Sequence, residues 1–244
     1  MQVETANLDD VEHILQWLLA EYKQDEFGFW SNRGIIERAQ TEGELWVIRI
    51  DGDPVAFQVG HYSADIVSVH QKHKRRGLGT ALFKASLERA YRDDVNVLSG
   101  ECEPRTSFPY WQKRGFIRYG NIGDYDDVTV YQVLHRNLPT PQGLPAIDVK
   151  IGFFTESALY SEGVNPFAEY HLSGFETGNS VVALDRRAIG PRLLVDNGKD
   201  VAVKINIDGK KIYFGKAKYD EAESFGVKED YHGGAFYIDS INLT

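Results

Sequence analysis

With 244 residues, 42% hydrophobic and 26% charged, the chain can bury a large core and has the composition of a globular protein. A net charge of −9 excludes the basic balance of a nucleic-acid binder, and no apolar run approaches the ~20 residues a membrane-spanning helix needs. The single cysteine, Cys102, excludes an internal disulfide, and Met1 to Ala6 lacks the basic and apolar regions of a secretory leader. The expected setting is therefore a reducing cytoplasm.

In chain order, a short strand is predicted over Met1 to Thr5. Asn7 is a helix cap, followed by Asp9 and Asp10 where the helix dipole favours acids, and Val11, Ile14, Leu15 and Leu18 mark the buried face. Glu21 to Arg33 reads as a loop of mixed aromatic and acidic residues, with a short helix over Gly34 to Thr41. Strands follow at Glu44 to Ile50, Val55 to Gly60 and Ala64 to Val69, the first two joined by the turn Asp51-Gly52-Asp53-Pro54. A helix runs from the glycines at 77 and 79 to about Tyr91. Then come a strand over Val95 to Cys102, a helix over Thr106 to Arg114 stopped by Gly115, and strands over Phe116 to Tyr119 and Val128 to Leu134.

Leu138 to Pro145 holds three prolines and a glycine, which break regular structure and mark a linker over 139–145. Beyond it Val201 to Ile207 alternates with period two, Asp208-Gly209 and Asp196-Asn197-Gly198-Lys199 are hairpin signals, and Gly233 to Ile238 reads as a strand. The expected organisation is a mixed α/β domain over 1–138 with a mostly antiparallel sheet flanked by helices, and a mostly-β domain over 146–244.

The segment from Ser68 to Phe83 carries the chemistry. A short apolar strand enters a basic turn, Lys72-His73-Lys74-Arg75-Arg76, and Gly77 and Gly79 then open a helix whose Leu78, Ala81, Leu82 and Ala85 keep helical spacing. The first amides of a helix lack intrahelical partners and the helix dipole adds positive charge there, so the end is an anion site. Glycine lets phosphate approach the backbone without a Cβ in the way. A dinucleotide fingerprint would need glycine where Leu82 stands, and the Gly-Lys-Ser/Thr of a nucleotide P-loop is absent. A plain strand-to-helix turn with solvated charges is the competing reading.

Lys74-Arg75-Arg76-Gly77-Leu78-Gly79 resembles the Arg/Gln-x-x-Gly-x-Gly/Ala motif of the GNAT superfamily of acyl-CoA-dependent N-acyltransferases, with lysine in the first place. Tyr110-Trp111-Gln112-Lys113-Arg114-Gly115-Phe116 is similar to that family's Phe-Tyr-x-x-x-Gly-Phe segment, and the resemblance covers roughly 1–138. It implies acetyl-CoA as co-substrate, its diphosphate held by Lys74, Arg75, Arg76, Gly77, Leu78, Gly79 and Thr80. Backbone groups of Val67 and Val69 would pair with the pantetheine arm, the Val67 N–H near the thioester carbonyl, and Trp111 would contact the coenzyme. The implied acceptor is a primary amine on a small molecule or peptide. Homodimers are common in the family, and nothing in the sequence decides the matter.

Direct attack of an amine on the thioester needs a base and a donor for the leaving thiolate. The residues nominate Glu103, which flanks the helix bearing the second motif, ahead of Asp65 as base, with Glu101 sharing the Glu103 face, while the family's glutamate position falls on Ser63. Trp111 takes the tyrosine position of the second motif, and an indole N–H is no usable acid, so Tyr110 or water must protonate the thiolate. Tyr22 to Trp30, rich in rings and acids, suits a cationic amine. Cys102 is expected to pack as a small apolar residue. The seven histidines show no ligand spacing beyond His70 and His73, and no metal is assigned. The missing tyrosine and glutamate leave a second reading open: a non-catalytic acyl-CoA-binding or sensing module whose β domain binds a partner.

Overall fold

The computed structural model describes residues 1–25, 28–62, 65–120, 128–195, 198–232 and 234–243, divided between two units. The first comprises Met1–Asp94, Leu98–Tyr110 and Asp127–Val130, and the second Val95–Val97, Trp111–Asp126 and Tyr131–Thr244.

The chain opens with strand β1 (Glu4–Thr5) and helix α1 (Leu8–Asp25). Asn7 caps α1 reciprocally: its Oδ1 accepts from the Asp10 N–H at 2.9 Å, and Asp10 Oδ2 accepts from the Asn7 N–H at 2.7 Å. The buried Asp10 also accepts from Arg49 Nε at 2.8 Å, which ties the start of the helix to the sheet. The loop expected from Glu21 onward is helix as far as Asp25. Ala20 to Gln24 are good helix formers, and the first strong breaker is Gly28, left-handed at φ 115°. Glu26 and Phe27 of the expected acceptor segment lie outside the described residues.

A single 3-10 turn leads to α2 (Arg33–Thr41), then to strands β2 (Leu45–Ile50), β3 (Asp53–Val59) and β4 (Ile66–Val69). Asp51 and Gly52 both have positive φ, 55° and 97°, as a tight hairpin between right-twisted strands requires. The four strands form an antiparallel sheet in the order β1-β2-β3-β4. One face, with Leu45, Val47, Phe57, Val59 and Ile66, packs on Val11, Ile14, Leu18, Ile36 and Ala39 of α1 and α2. The other, with Ile48, Val55 and Ala56, packs on Leu78 and Leu82 of helix α3 (Leu78–Arg92).

Strand β5 (Val97–Cys102), helix α4 (Phe108–Gln112), strand β6 (Ile117–Arg118) and strand β7 (Val128–Val133) follow, the strands in the order β5-β7-β6. Helix α4 is shorter than the expected 106–114, because Arg105–Ser107 winds as a 3-10 turn and the left-handed Gly115 (φ 90°) ends the segment.

The second unit is built on strands β8 (Ala146–Thr155), β9 (Ala168–Thr177), β10 (Val181–Pro191), β11 (Val201–Ile207), β12 (Lys210–Lys216), β13 (Val227–Glu229) and β14 (Ala235–Asn242), with a short helix α5 (Asp220–Ser224). They form one seven-stranded antiparallel sheet in the order β12-β11-β8-β9-β10-β14-β13. Period-two alternation sends Val149, Ile151, Phe153, Val201, Val203 and Ile205 into a core with Val182, Leu184, Phe236 and Ile238. Asp208 and Gly209 turn β11 into β12 at φ 47° and 76°. The second expected hairpin does not join neighbours: β10 and β11 are separated in the sheet by β9 and β8, and Asp196 and Asn197 lie outside the described residues, as does Gly233. The fold is thus mixed α/β, with antiparallel sheets flanked by helices followed by a mostly-β region.

A buried polar network braces the second unit. Arg187, 6% exposed, makes a fork onto Asp239 at 2.7 and 2.8 Å and donates to Asn96 Oδ1 at 2.8 Å; Asn96 in turn donates to Asp230. Asp239→Ala is expected to cost about 3–5 kcal/mol in urea unfolding, because it removes both bonds of the fork from a buried guanidinium. Asp239→Ala unfolding at the wild-type midpoint would show that the fork is incidental.

Candidate active site

The turn from β4 into α3 is held by side chains on both sides of it. His70 Nδ1 accepts from the Lys72 N–H at 3.3 Å and so caps a 3-10 turn over Gln71–His73. Burial lowers the His70 pKa, which keeps that nitrogen an acceptor at neutral pH. Glu21, on the part of α1 where the sequence predicts a loop, accepts from the Gln71 N–H at 2.9 Å.

Beyond this brace the backbone changes hand twice: Arg75 has φ 63° and Gly77, the residue before α3, has φ 82°. Left-handed residues alternating with right-handed ones curl consecutive amides around one point, the geometry that cradles anions. The first helical bond near this end is from Ala81 N–H to Gly77 O at 3.0 Å, so the Leu78 and Gly79 amides lie beyond it at the open helix end. Lys74, Arg75 and Arg76 are exposed, and among the described residues none forms an ion pair; Arg76 contacts His73 and Lys74 contacts Gln71.

Strand β4 leads into that cradle along the edge of its sheet. His70 N–H donates to Val55 O at 2.9 Å, and the register pairs Ser68 with Phe57 and Val67 with Gln58. Because antiparallel bonds alternate along a strand, the backbone groups of Val67 and Val69 face away from β3, toward the open edge. Both side chains are half-buried.

Tyr110, of α4, reaches the same place. A Cβ on Gly79 would stand 3.1 Å from the Tyr110 hydroxyl and 3.8 Å from Val69 Cγ2, so the glycine leaves room for that ring as well as for an approaching anion. Gly79, Val69 and Tyr110 are therefore gathered within the first unit.

Asp65 immediately precedes β4. It is exposed as a residue, yet desolvation of its carboxyl, with the charge of Glu44 adding, raises its pKa above the ordinary aspartate range. Glu101 and Glu103 are exposed at the end of β5 and just beyond it. Cys102 is buried, and burial pushes its thiol up, so it packs as an apolar residue. Trp111 belongs to the second unit, where its ring meets Phe116 edge-on at 5.4 Å. Ser63 lies outside the described residues.

The sequence reading missed the other end of α3. Ser86 and Arg89 continue the buried stripe begun by Leu78 and Leu82. Ser86 Oγ donates to Tyr62 O, and Arg89 Nε donates to His61 O at 2.9 Å, so the helix clamps the chain ahead of Asp65. The Arg89 guanidinium stacks 3.7 Å from the centroid of Trp46. Burial, with Arg92 nearby, pulls its pKa down to about 10, which leaves it charged at neutral pH. Helical spacing extended through 86 and 89 was the available signal, obscured because both residues are polar.

Residues 9–116 match the model of a family described as the acetyltransferase (GNAT) family. No curated protein matches the chain. Among solved structures, it is similar to a GNAT-family acetyltransferase from Staphylococcus aureus (11% identity, 54% of this chain and 98% of that one, TM-score 0.44). It is similar also to the PaiA N-acetyltransferase of Thermoplasma acidophilum in complex with coenzyme A (11%, 55% and 98%, TM-score 0.40). A third is the ribosomal-protein-alanine N-acetyltransferase of Brucella melitensis (17%, 55% and 100%, TM-score 0.42).

The crowding of Gly79 by Tyr110 gives a direct test. Gly79→Ala trades a helix-propensity gain against crowding of the Tyr110 hydroxyl, so it is expected to be better tolerated by about 1 kcal/mol when Tyr110→Phe is made in the same chain. Additive effects on the thermal midpoint would contradict the contact.

Proposed function

We propose that the GNAT acetyltransferase domain carried at residues 9–116 moves an acetyl group from acetyl-CoA to a primary amine by direct attack in a ternary complex. The observation that carries this reading is the pair of left-handed residues, Arg75 and Gly77, that turns an uncompensated run of cations and the amide end of α3 toward one point. Such a cradle suits a compact diphosphate better than a long polyanion.

With the diphosphate of CoA there, its pantetheine arm lies along the free edge of β4 and pairs with Val67 and Val69. The Val67 N–H then stabilises the oxygen that becomes negative as the amine attacks the thioester carbonyl. The C–N bond forms, the C–S bond breaks, and CoA leaves as the thiolate. Holding the two substrates together supplies several kcal/mol of the barrier lowering.

The amine's proton goes to a carboxylate, directly or through a water. Asp65 is the stronger candidate because desolvation already raises its proton affinity, and Glu103 is the second. Tyr110, beside Val69, is the candidate donor to the thiolate. Lys74, Arg76, Leu78, Gly79 and Thr80 complete the phosphate site. The coenzyme contact assigned to Trp111 rests on its place in the motif. The segment Tyr22 to Trp30, with the rings of Tyr22, Phe27, Phe29 and Trp30, is assigned to a cationic acceptor, whether a small molecule or a peptide terminus. The domain limits 1–138 and 146–244 and a cytoplasmic setting belong to the same reading.

The test is release of CoA thiol across a panel of primary amines, followed against pH. Wild-type kcat/KM is expected to fall as pH drops through the raised Asp65 pKa, above the usual aspartate range, because only the carboxylate accepts a proton. Asp65→Asn should lose that limb and about 10²-fold or more of the rate. It should fold at least as stably at neutral pH, since the native carboxylate is the disfavoured form there. Acetyl-CoA binding without turnover of any amine would favour the sensing module instead.

A further inference from the structure

The second unit carries a hollow of about 460 Å³ on the sheet face opposite its core, a size typical of small-molecule sites. Its lining includes Lys150, Gly152, Phe154, Val164, Lys204 and Asn206. The alternation that buries Val149, Ile151 and Phe153 sends these β8 and β11 residues to the opposite face, with Lys204 directly across from Gly152 and Asn206 across from Lys150. Gly152 contributes no side chain; the place of its Cβ is taken by the Phe154 ring, 2.8 Å away, so the middle of the hollow has an aromatic floor.

The charges in this hollow are not balanced alike. Lys150 is paired with Glu169 at 3.0 Å, and Glu169 also holds His171 at 3.1 Å. Lys204 is half-buried and, among the described residues, meets no carboxylate within ion-pair distance; its neighbour is the Phe214 ring, 5.7 Å from Nζ to centroid. Lys204 is thus the lining cation without an ion pair among the described residues, and the Asp148 carboxylate on the same lining limits the hollow to a ligand of a single negative charge placed at Lys204.

We propose that this hollow is a binding site for a small monoanion with a flat apolar body. A carboxylate sits on Lys204 with help from the Asn206 amide, and the planar part lies against Phe154 and Val164. The site is independent of acetyl transfer, and no residue of it belongs to the CoA machinery.

Benzoate is the probe, titrated into the full chain and followed by amide NMR shifts, with benzamide and acetate for comparison. Benzoate is expected to bind with a dissociation constant in about the millimolar range, shifting the amides of Gly152, Phe154 and Lys204. Benzamide, without the charge, and acetate, without the ring, should each bind at least about tenfold more weakly. Lys204→Met should weaken benzoate about tenfold at an unchanged melting temperature, and Lys204→Arg should restore it. Equal binding of benzoate and benzamide, shifts confined to other residues, or full affinity in a folded Lys204→Met would each overturn the proposal.

Discussion

The contact on which the proposed chemistry depends is the seating of α3 on the sheet. Leu78 and Leu82 pack against Ile48, Val55 and Ala56, while Ser86 and Arg89 bond to the backbone of Tyr62 and His61. Apolar burial secures the first half of the helix and hydrogen bonds secure the second. A helix fixed at both ends cannot roll, so its first amides stay aimed at one point beside the end of β4. Preorganised donors of this kind are effective because no reorientation is needed when charge arrives.

The same arrangement explains why β4 is a useful edge. An unpaired strand edge invites aggregation, and proteins usually cover or blunt it. Here β4 is only four residues long, and its side chains Val67 and Val69 are half covered by the α3 layer, while its outward backbone groups remain available. An extended ligand arm can use those groups as an additional strand would. The brace behind the turn, from Glu21 to Gln71 and from His70 to Lys72, fixes the chain between β4 and α3.

The first half was largely legible because its signals are local. Asn7 and Asp10 announce a helix start, Asp51-Gly52 a hairpin, and Gly77-Leu78-Gly79 a helix opened by glycine; each works through its immediate neighbours. What stayed hidden depends on distant partners. Glu21 reads as loop because its role comes from Gln71, fifty residues away. Nothing in the sequence marks Arg89 as buried, because its stacking on Trp46 is a tertiary fact. In the second half the length of β8, β9 and β10 was missed, since their pairing is between segments far apart and β10 and β11, consecutive in the chain, are not neighbours in the sheet. The lone cation at Lys204 is invisible in a sequence where Lys150 and Lys204 look alike.

The account rests on backbone amides at the mouth of α3 gripping a diphosphate, and amide NMR with adenosine 3′,5′-bisphosphate and with CoA tests this most directly. The prediction is that CoA moves the amide resonances of Arg76 to Thr80 strongly, while the bisphosphate, lacking the bridging diphosphate, moves them far less. If CoA binds and leaves those five amides where they were, the cradle is not the coenzyme site and the mechanism built on it is wrong.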